Sequence, residues 1–276
     1  MTFVIRAILF LVLTAKLLVA QSTLEEQFDI AKELFTQQNY FDAITEFKRL
    51  NYFDSDKVFS YESNLLIGQS YKAGGKYNDA LKYFRLAEMK SQNPETYYEA
   101  KIFQARVNIL RRSTQQAHKI LKELETDNAF INQKNEIEYW IGWAFIFEDE
   151  WEKAAVTFTD IDTILATFCH QVDKEKYSVD FAKYSSAIIP GFGQFYTGEY
   201  VSGILSLGWN ILWGYLTINA LVEDRIFDGL VIGNLLWVRF YKGNIHNAEK
   251  FALQKNLKIS NKALDYLQNV YQADKP

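Results

Sequence analysis

Two hydrophobic patterns divide this chain. From residue 24 to residue 161, apolar side chains recur at helical spacing between charged and amide positions, as in helices that keep one face in a core. From Tyr200 to Val222 that alternation stops. The 23 residues there carry no charge, and at about 1.5 Å of rise per residue such a helix crosses a hydrocarbon layer of roughly 30 Å. A polar turn, Glu223-Asp224-Arg225, leads into a second apolar run from Ile226 to Tyr241, with Asp228 and Arg239 near its two ends. Together the runs predict an antiparallel membrane hairpin. Beyond them, Ala248, Phe251, Ala252, Leu257, Ala263, Leu264 and Leu267 space the stretch from Asn244 to Tyr271 as an amphipathic helix. The first 20 residues place Arg6 before an apolar stretch, Ala7 to Ala15, and end on Leu18-Val19-Ala20 ahead of Gln21. That is the form of a cleaved secretory signal, with a retained anchor as the alternative.

The helical region carries a ruler. Ala43, Ala80, Ala117 and Ala154 stand 37 residues apart. Four residues beyond them lie Phe47, Phe84, Leu121 and Phe158, and seven beyond lie Leu50, Ala87, Leu124 and Ile161. Twelve before lie Ala31, Gly68, Ala105 and Gly142; three before lie Tyr40, Tyr77, Thr114 and Trp151. Recurrence of residue class at fixed offsets marks a repeat architecture. A small residue suits a close helix crossing, and large residues at plus four and plus seven share one face of the second helix. Gly75 falls in a turn where positive φ is cheap for glycine.

This pattern resembles the tetratricopeptide repeat family. The second unit carries it best, with Gly68, Tyr71, Gly75, Tyr77, Ala80, Phe84, Ala87 and then Pro94. The fourth follows with Gly142, Phe145, Trp151, Ala154, Phe158 and Ile161. The third departs, with Thr114 for the aromatic and Asn108 for a large residue. The resemblance covers residues 24 to 161 and implies a right-handed helical solenoid whose groove binds a protein or peptide. On that reading the repeat aromatics are core, and groove residues come from the first helices: Gln37, Lys72, Lys101 or Gln104.

Ahead of the apolar runs stands Pro190-Gly191-Phe192-Gly193-Gln194-Phe195-Tyr196-Thr197-Gly198. No Lys-Ser/Thr follows and no strand pattern precedes, so a phosphate loop is excluded. An interfacial turn is expected instead, with Phe192, Phe195, Tyr196 and Tyr200 at the headgroup level. The string Pro-Gly-x-Gly-Gln-x-Tyr-x-Gly before two short spanning segments looks like the membrane-hairpin modules of bacterial envelope proteins. It is carried by Pro190, Gly191, Gly193, Gln194, Tyr196 and Gly198. Reflecting the hairpin about its turn sets Gly214 opposite Asn234, Asn219 opposite Gly229, and Asn210 opposite Val238 beside Arg239. The three asparagines should then face the partner helix rather than lipid.

Composition narrows the chemistry. A net charge of −4 gives no basic field for nucleic acid. Three prolines in 276 residues suit an all-α chain. With one cysteine, Cys169, no intramolecular disulfide forms, and three scattered histidines show no metal-ligand spacing. Arg111-Arg112 with Lys119 and Lys122 reads as a solvated face. The expected divisions are a signal peptide (1–20), four repeats (21–161), a capping or linker helix (162–184), an interfacial turn with a two-helix hairpin (185–243), and an amphipathic helix and tail (244–276). The expected function is a non-enzymatic scaffold without cofactor or metal. It is integral to the cell membrane of a bacterial envelope, with its repeats exported to the periplasm. Its partners are a protein or peptide and membrane lipid. The alternative is a subunit of a transport or assembly complex that oligomerises through the hairpin. Topology pulls two ways: the signal exports the repeats, whereas the lysine-rich tail (Lys242, Lys250, Lys255, Lys258, Lys262) and the acidic turn prefer the reverse.

Overall fold

The computed structural model of the chain describes residues 24–276; the signal-like segment 1–20 lies outside the described residues. Those described are helical, with no strand among them, as the all-α reading expects. They form two compact units, one ending at Thr167 and one spanning Phe168–Lys275. The division falls inside a helix, a few residues beyond the expected end of the repeats.

The first unit contains α1 (residues 24–36), α2 (Tyr40–Phe53), α3 (Ser60–Ala73), α4 (Tyr77–Lys90), α5 (Pro94–Leu110), α6 (Thr114–Thr126), a 3-10 segment (Asn128–Gln133), α7 (Lys134–Phe147) and α8 (Trp151–Phe158). From α2 to α8 each helix packs on its sequence neighbours. The four even-numbered helices begin at Tyr40, Tyr77, Thr114 and Trp151, the ruler position three before each alanine. All four ruler alanines are fully buried, and so are Phe47, Phe84, Leu121 and Phe158. A Cβ built on Gly68 would lie 2.5 Å from the Phe84 ring, and one on Gly142 would overlap Phe158. The missing methyl group is the space each ring fills, four residues past the alanine of its own pair.

The turns repeat as strictly as the core. Gln38, Gly75, Arg112 and Asp149 take positive φ of 61°, 69°, 55° and 67°. After each, an amide donates back five residues: Asn39 to Leu34 (2.9 Å), Lys76 to Tyr71 (2.8 Å), Ser113 to Asn108 (2.9 Å) and Glu150 to Phe145 (3.0 Å). This is the left-handed C-terminal cap that satisfies exposed helix carbonyls. Only the second unit places glycine there. The other three residues bear a left-handed conformation costing on the order of 1 kcal/mol each. The divergent third unit is also satisfied: Asn108 is buried and its amide donates to the Gln104 carbonyl at 2.8 Å.

Helix α9 (Thr163–Glu175) contains the division between the units. The second unit continues with α10 (Val179–Ile188), α11 (Phe192–Tyr196), α12 (Tyr200–Val222), α13 (Ile226–Ile232), a π-helical turn (Gly233–Trp237) and α14 (Val238–Asn269). Where one linker helix was expected over 162–184, α9 and α10 stand instead, separated at Ser178, whose hydroxyl caps α10 by accepting from the Phe181 amide at 3.1 Å. The helix from Ile226 runs through the π turn to Asn269 without a break, so Asn244 lies within a helix rather than at the start of one.

That π turn changes the expected pairing of α12 with the helix that follows it. Gly229 packs against Leu221 and Thr217, Gly233 against Thr217, and Gly214 against the Trp237 indole, 3.3 Å from a Cβ built on the glycine. Trp237 thus stands where reflection about the turn put Asn234. Trp237 closes the π turn, whose one extra residue over an α turn supplies one of the three positions between them. Asn234 is exposed, Asn219 is bonded to Glu223, just past the end of its own helix, at 3.2 Å, and Asn210 alone of the three is buried.

Candidate functional site

The string of small and polar residues around Pro190 builds a buried polar cluster in the second unit. Pro190 follows the last turn of α10, where it cannot continue the helix. Gly191 then takes φ of 94°, and a Cβ on it would overlap the Gly203 carbonyl. A Cβ on Gly193 would overlap the Ala182 carbonyl and lie 2.7 Å from the Ser186 hydroxyl. The two glycines therefore let α11 sit directly on α10 and α12. Gly198, with φ of 78°, ends α11, and the Glu199 amide donates to the Gln194 carbonyl at 2.7 Å.

Gln194 is fully buried, and so is Ser186; Asn244 is 2% exposed. The Gln194 amide donates to the carbonyl and the side-chain oxygen of Asn244, at 3.0 Å each, and to Ser206 at 3.3 Å. Ser186 donates to the Gln194 side-chain oxygen at 3.0 Å and accepts from the Gly193 amide at 2.8 Å. Asn244 accepts from the Gly191 amide and donates to the Ser186 carbonyl, both at 2.7 Å. Every polar atom of these side chains has a partner, so burial costs little and geometry is tightly specified. A second clasp lies along the same helix, where Asn256 bonds the backbone amide and carbonyl of Tyr177 at 2.8 and 2.9 Å.

The expected row of interfacial aromatics is split by this arrangement. Phe192 and Tyr200 face outward. Tyr196 turns inward instead: its hydroxyl accepts from the Ser178 amide at 3.0 Å and its ring meets Tyr177 and Phe181 edge-on. Phe195 closes over Gly203. Sequence reading missed Ser186, Ser206, Asn244 and Asn256, and Tyr241, whose hydroxyl donates to the Ala187 carbonyl at 2.7 Å. A signal existed for two of them: Asn244, Ala248, Ala252, Asn256 and Ser260 recur every four residues, a stripe of small or amide side chains down α14.

Beyond the cluster, α12 presents apolar side chains outward, including Ile204 at 63% exposure and Ile211 at 62%. By length and composition it is the one described helix able to cross a membrane. Between it and α14 opens a cleft of about 700 Å³, lined by the apolar Val201, Leu205, Trp209 and Phe240 and by the polar Glu199, Ser202, Arg239 and Asn247.

In the first unit, two residues expected to line a groove are not available to it. Lys101 is 9% exposed and holds Glu88 and Glu123 at 3.2 Å each; Gln104 is 4% exposed and donates to Glu88 at 2.7 Å. Burial alone would lower the Lys101 pKa, but the Glu88 charge and the surrounding hydrogen bonds raise it above its ordinary value. Burial pushes the Tyr61 and Tyr98 hydroxyls far up, helped by Glu99 and Glu136 respectively. Gln37 is exposed and bonds Glu33; Lys72 is half-buried. Cys169 is buried, and no group of three or more His, Cys, Asp or Glu among the described residues is placed to hold a metal.

No protein-family model, no curated protein and no solved structure matches this chain. Its function is therefore read from its own residues.

Proposed function

We propose that the chain is a membrane-anchored repeat scaffold of a bacterial envelope, in which α12 and the helix after it form a hairpin in the bilayer and the first unit binds a protein or peptide. The observation that carries this is α12. Its 23 residues include no charge, and its apolar side chains face outward rather than into the unit. In water such a belt is a large exposed apolar surface, which monomeric soluble proteins rarely keep. In lipid it is the stable arrangement, since the helix satisfies its own backbone. The helical repeats of the first unit supply the stacked surface that repeat proteins use for recognition.

Single cysteines at Ser55, Asp224 and Lys258 in a Cys169→Ser background, labelled in intact cells with an impermeant thiol reagent, test the reading. Labelling at Ser55 and Lys258 but not at Asp224 is expected for exported repeats on an anchored chain. Equal labelling of all three in a soluble fraction sinks the membrane assignment.

A second reading, a hairpin that oligomerises, draws on Gly208, whose built Cβ meets nothing within 4 Å. Gly214 and Gly229 are filled from within the chain, so Gly208→Leu is the informative probe. Loss of a crosslinked oligomer with the fold intact favours this reading.

A further inference from the structure

We infer that the cleft between α12 and α14 is a binding site for a glycerophospholipid, with Arg239 holding its phosphate; this rests on the membrane reading above. Arg239 is the only charged residue between Asp228 and Lys242. Several of the other charges at the two ends of this helical pair are matched. Arg225 meets Glu223 at 2.9 Å and Asp228 at 3.6 Å, and Glu199, on the cleft rim, meets Lys255 at 3.1 Å. Arg239 has neither an ion pair nor a hydrogen bond among the described residues, although it stands near the end of an apolar run and lines the cleft.

An unpaired guanidinium beside hydrocarbon is costly, so it recruits an anion. Its planar fork matches a phosphate diester bidentately, where a point charge would not. The rest of the wall suits the same molecule. Ser202 and Asn247 offer further polar groups, while Val201 and Leu205 add apolar ones. Trp209 and Phe240, both on the cleft wall, stack at 5.5 Å and give an acyl chain an aromatic contact. Because Glu199 is already neutralised by Lys255, it does not set a free negative charge against the phosphate. The cleft volume of about 700 Å³ accommodates a headgroup and the first part of a chain.

Native mass spectrometry of the full chain, released from detergent, tests this with phosphatidylglycerol as the probe. The wild-type chain is expected to retain one phosphatidylglycerol. Arg239→Gln should retain it about tenfold less or worse, the loss expected for one charge-assisted bidentate contact. Arg239→Lys should recover part of the retention, and diacylglycerol with the same chains should stay at background. Excess inorganic phosphate should not displace the lipid. Equal retention by Arg239→Gln, or of diacylglycerol, overturns the site. Displacement by inorganic phosphate overturns the assignment to a lipid. Loss of a protein oligomer in place of a lipid assigns Arg239 to an acidic partner helix and also overturns it. Flotation of the wild type with phosphatidylglycerol vesicles separates the two levels. A chain that fails to float sinks the membrane reading itself, whereas floating with unchanged retention in Arg239→Gln sinks only the Arg239 site.

Discussion

Gly68 and Gly193 are both glycines onto which another element closes, but what closes on them differs. Gly68 receives the Phe84 ring from the helix next in sequence. Gly193 receives the Ala182 carbonyl and the Ser186 hydroxyl, and next to it the buried amides of Gln194 and Asn244 cross-link three helices. The first unit interlocks ring into gap between neighbours, and repeats the device. The second is held at two clasps by directional hydrogen bonds between residues 50 to 79 positions apart. An apolar interlock tolerates small shifts, since dispersion contacts fall off gradually with misfit. A buried polar cluster does not, because each group left unpaired costs its full desolvation.

The sharpest way to break the comparison is Asn244→Leu. It leaves the Gly191 amide, the Ser186 carbonyl and part of the Gln194 amide without partners, at roughly 3–6 kcal/mol in total. Hydrogen exchange resolved along the chain should show faster exchange in α10, α11 and α14, with α3 and α4 unchanged. If Asn244→Leu exchanges like the wild type, the polar cluster does not hold the second unit. Phe84→Ala is the counterpart in the first unit, with an expected loss of about 3–5 kcal/mol from the cavity and the lost transfer energy. It should speed exchange in α3 and α4 and spare α10. Gly68→Ala overpacks the same junction by about 1–3 kcal/mol. Its cost should shrink in a Phe84→Leu background, and a double-mutant cycle without such coupling would show that ring and gap are not partners.

The smallest effect at neutral pH comes from titration. Tyr61 and Tyr98 hold their protons more tightly in the folded chain than at their ordinary value of 10.0, and Lys101 holds its own above 10.5. Groups raised in the fold contribute stability that is complete below the unfolded value and is lost as pH rises beyond it. Helix melting followed at about pH 8 and about pH 11 should therefore show a marked fall at the alkaline end. Tyr98→Phe should flatten part of that fall, whereas a curve indifferent to the substitution would remove Tyr98 as a contributor.

Legibility followed the same division. The 37-residue interval was readable because each unit repeats one local solution, so that Ala80, Phe84 and Gly68 restate what Ala154, Phe158 and Gly142 say. The cap residues Gln38, Arg112 and Asp149 were not readable, since only Gly75 carries the residue type that advertises positive φ. Lys101 and Gln104 look like solvent-facing groups in isolation. They are buried because Glu88 and Glu123 converge on them from adjoining helices.

The sequence by itself determined the helical class, the spacing of the repeats and the uncharged length of α12. Local periodicity encodes all of these, because a helix face and a turn are specified within a few residues. Only the tertiary structure decided that Gln194 and Tyr196 turn inward, that Asn244 is their anchor, and that Trp237 rather than Asn234 meets Gly214. Those outcomes depend on partners brought together across 50 residues and on how an indole at the end of a π turn packs over a glycine, and neither leaves a periodic trace in the chain.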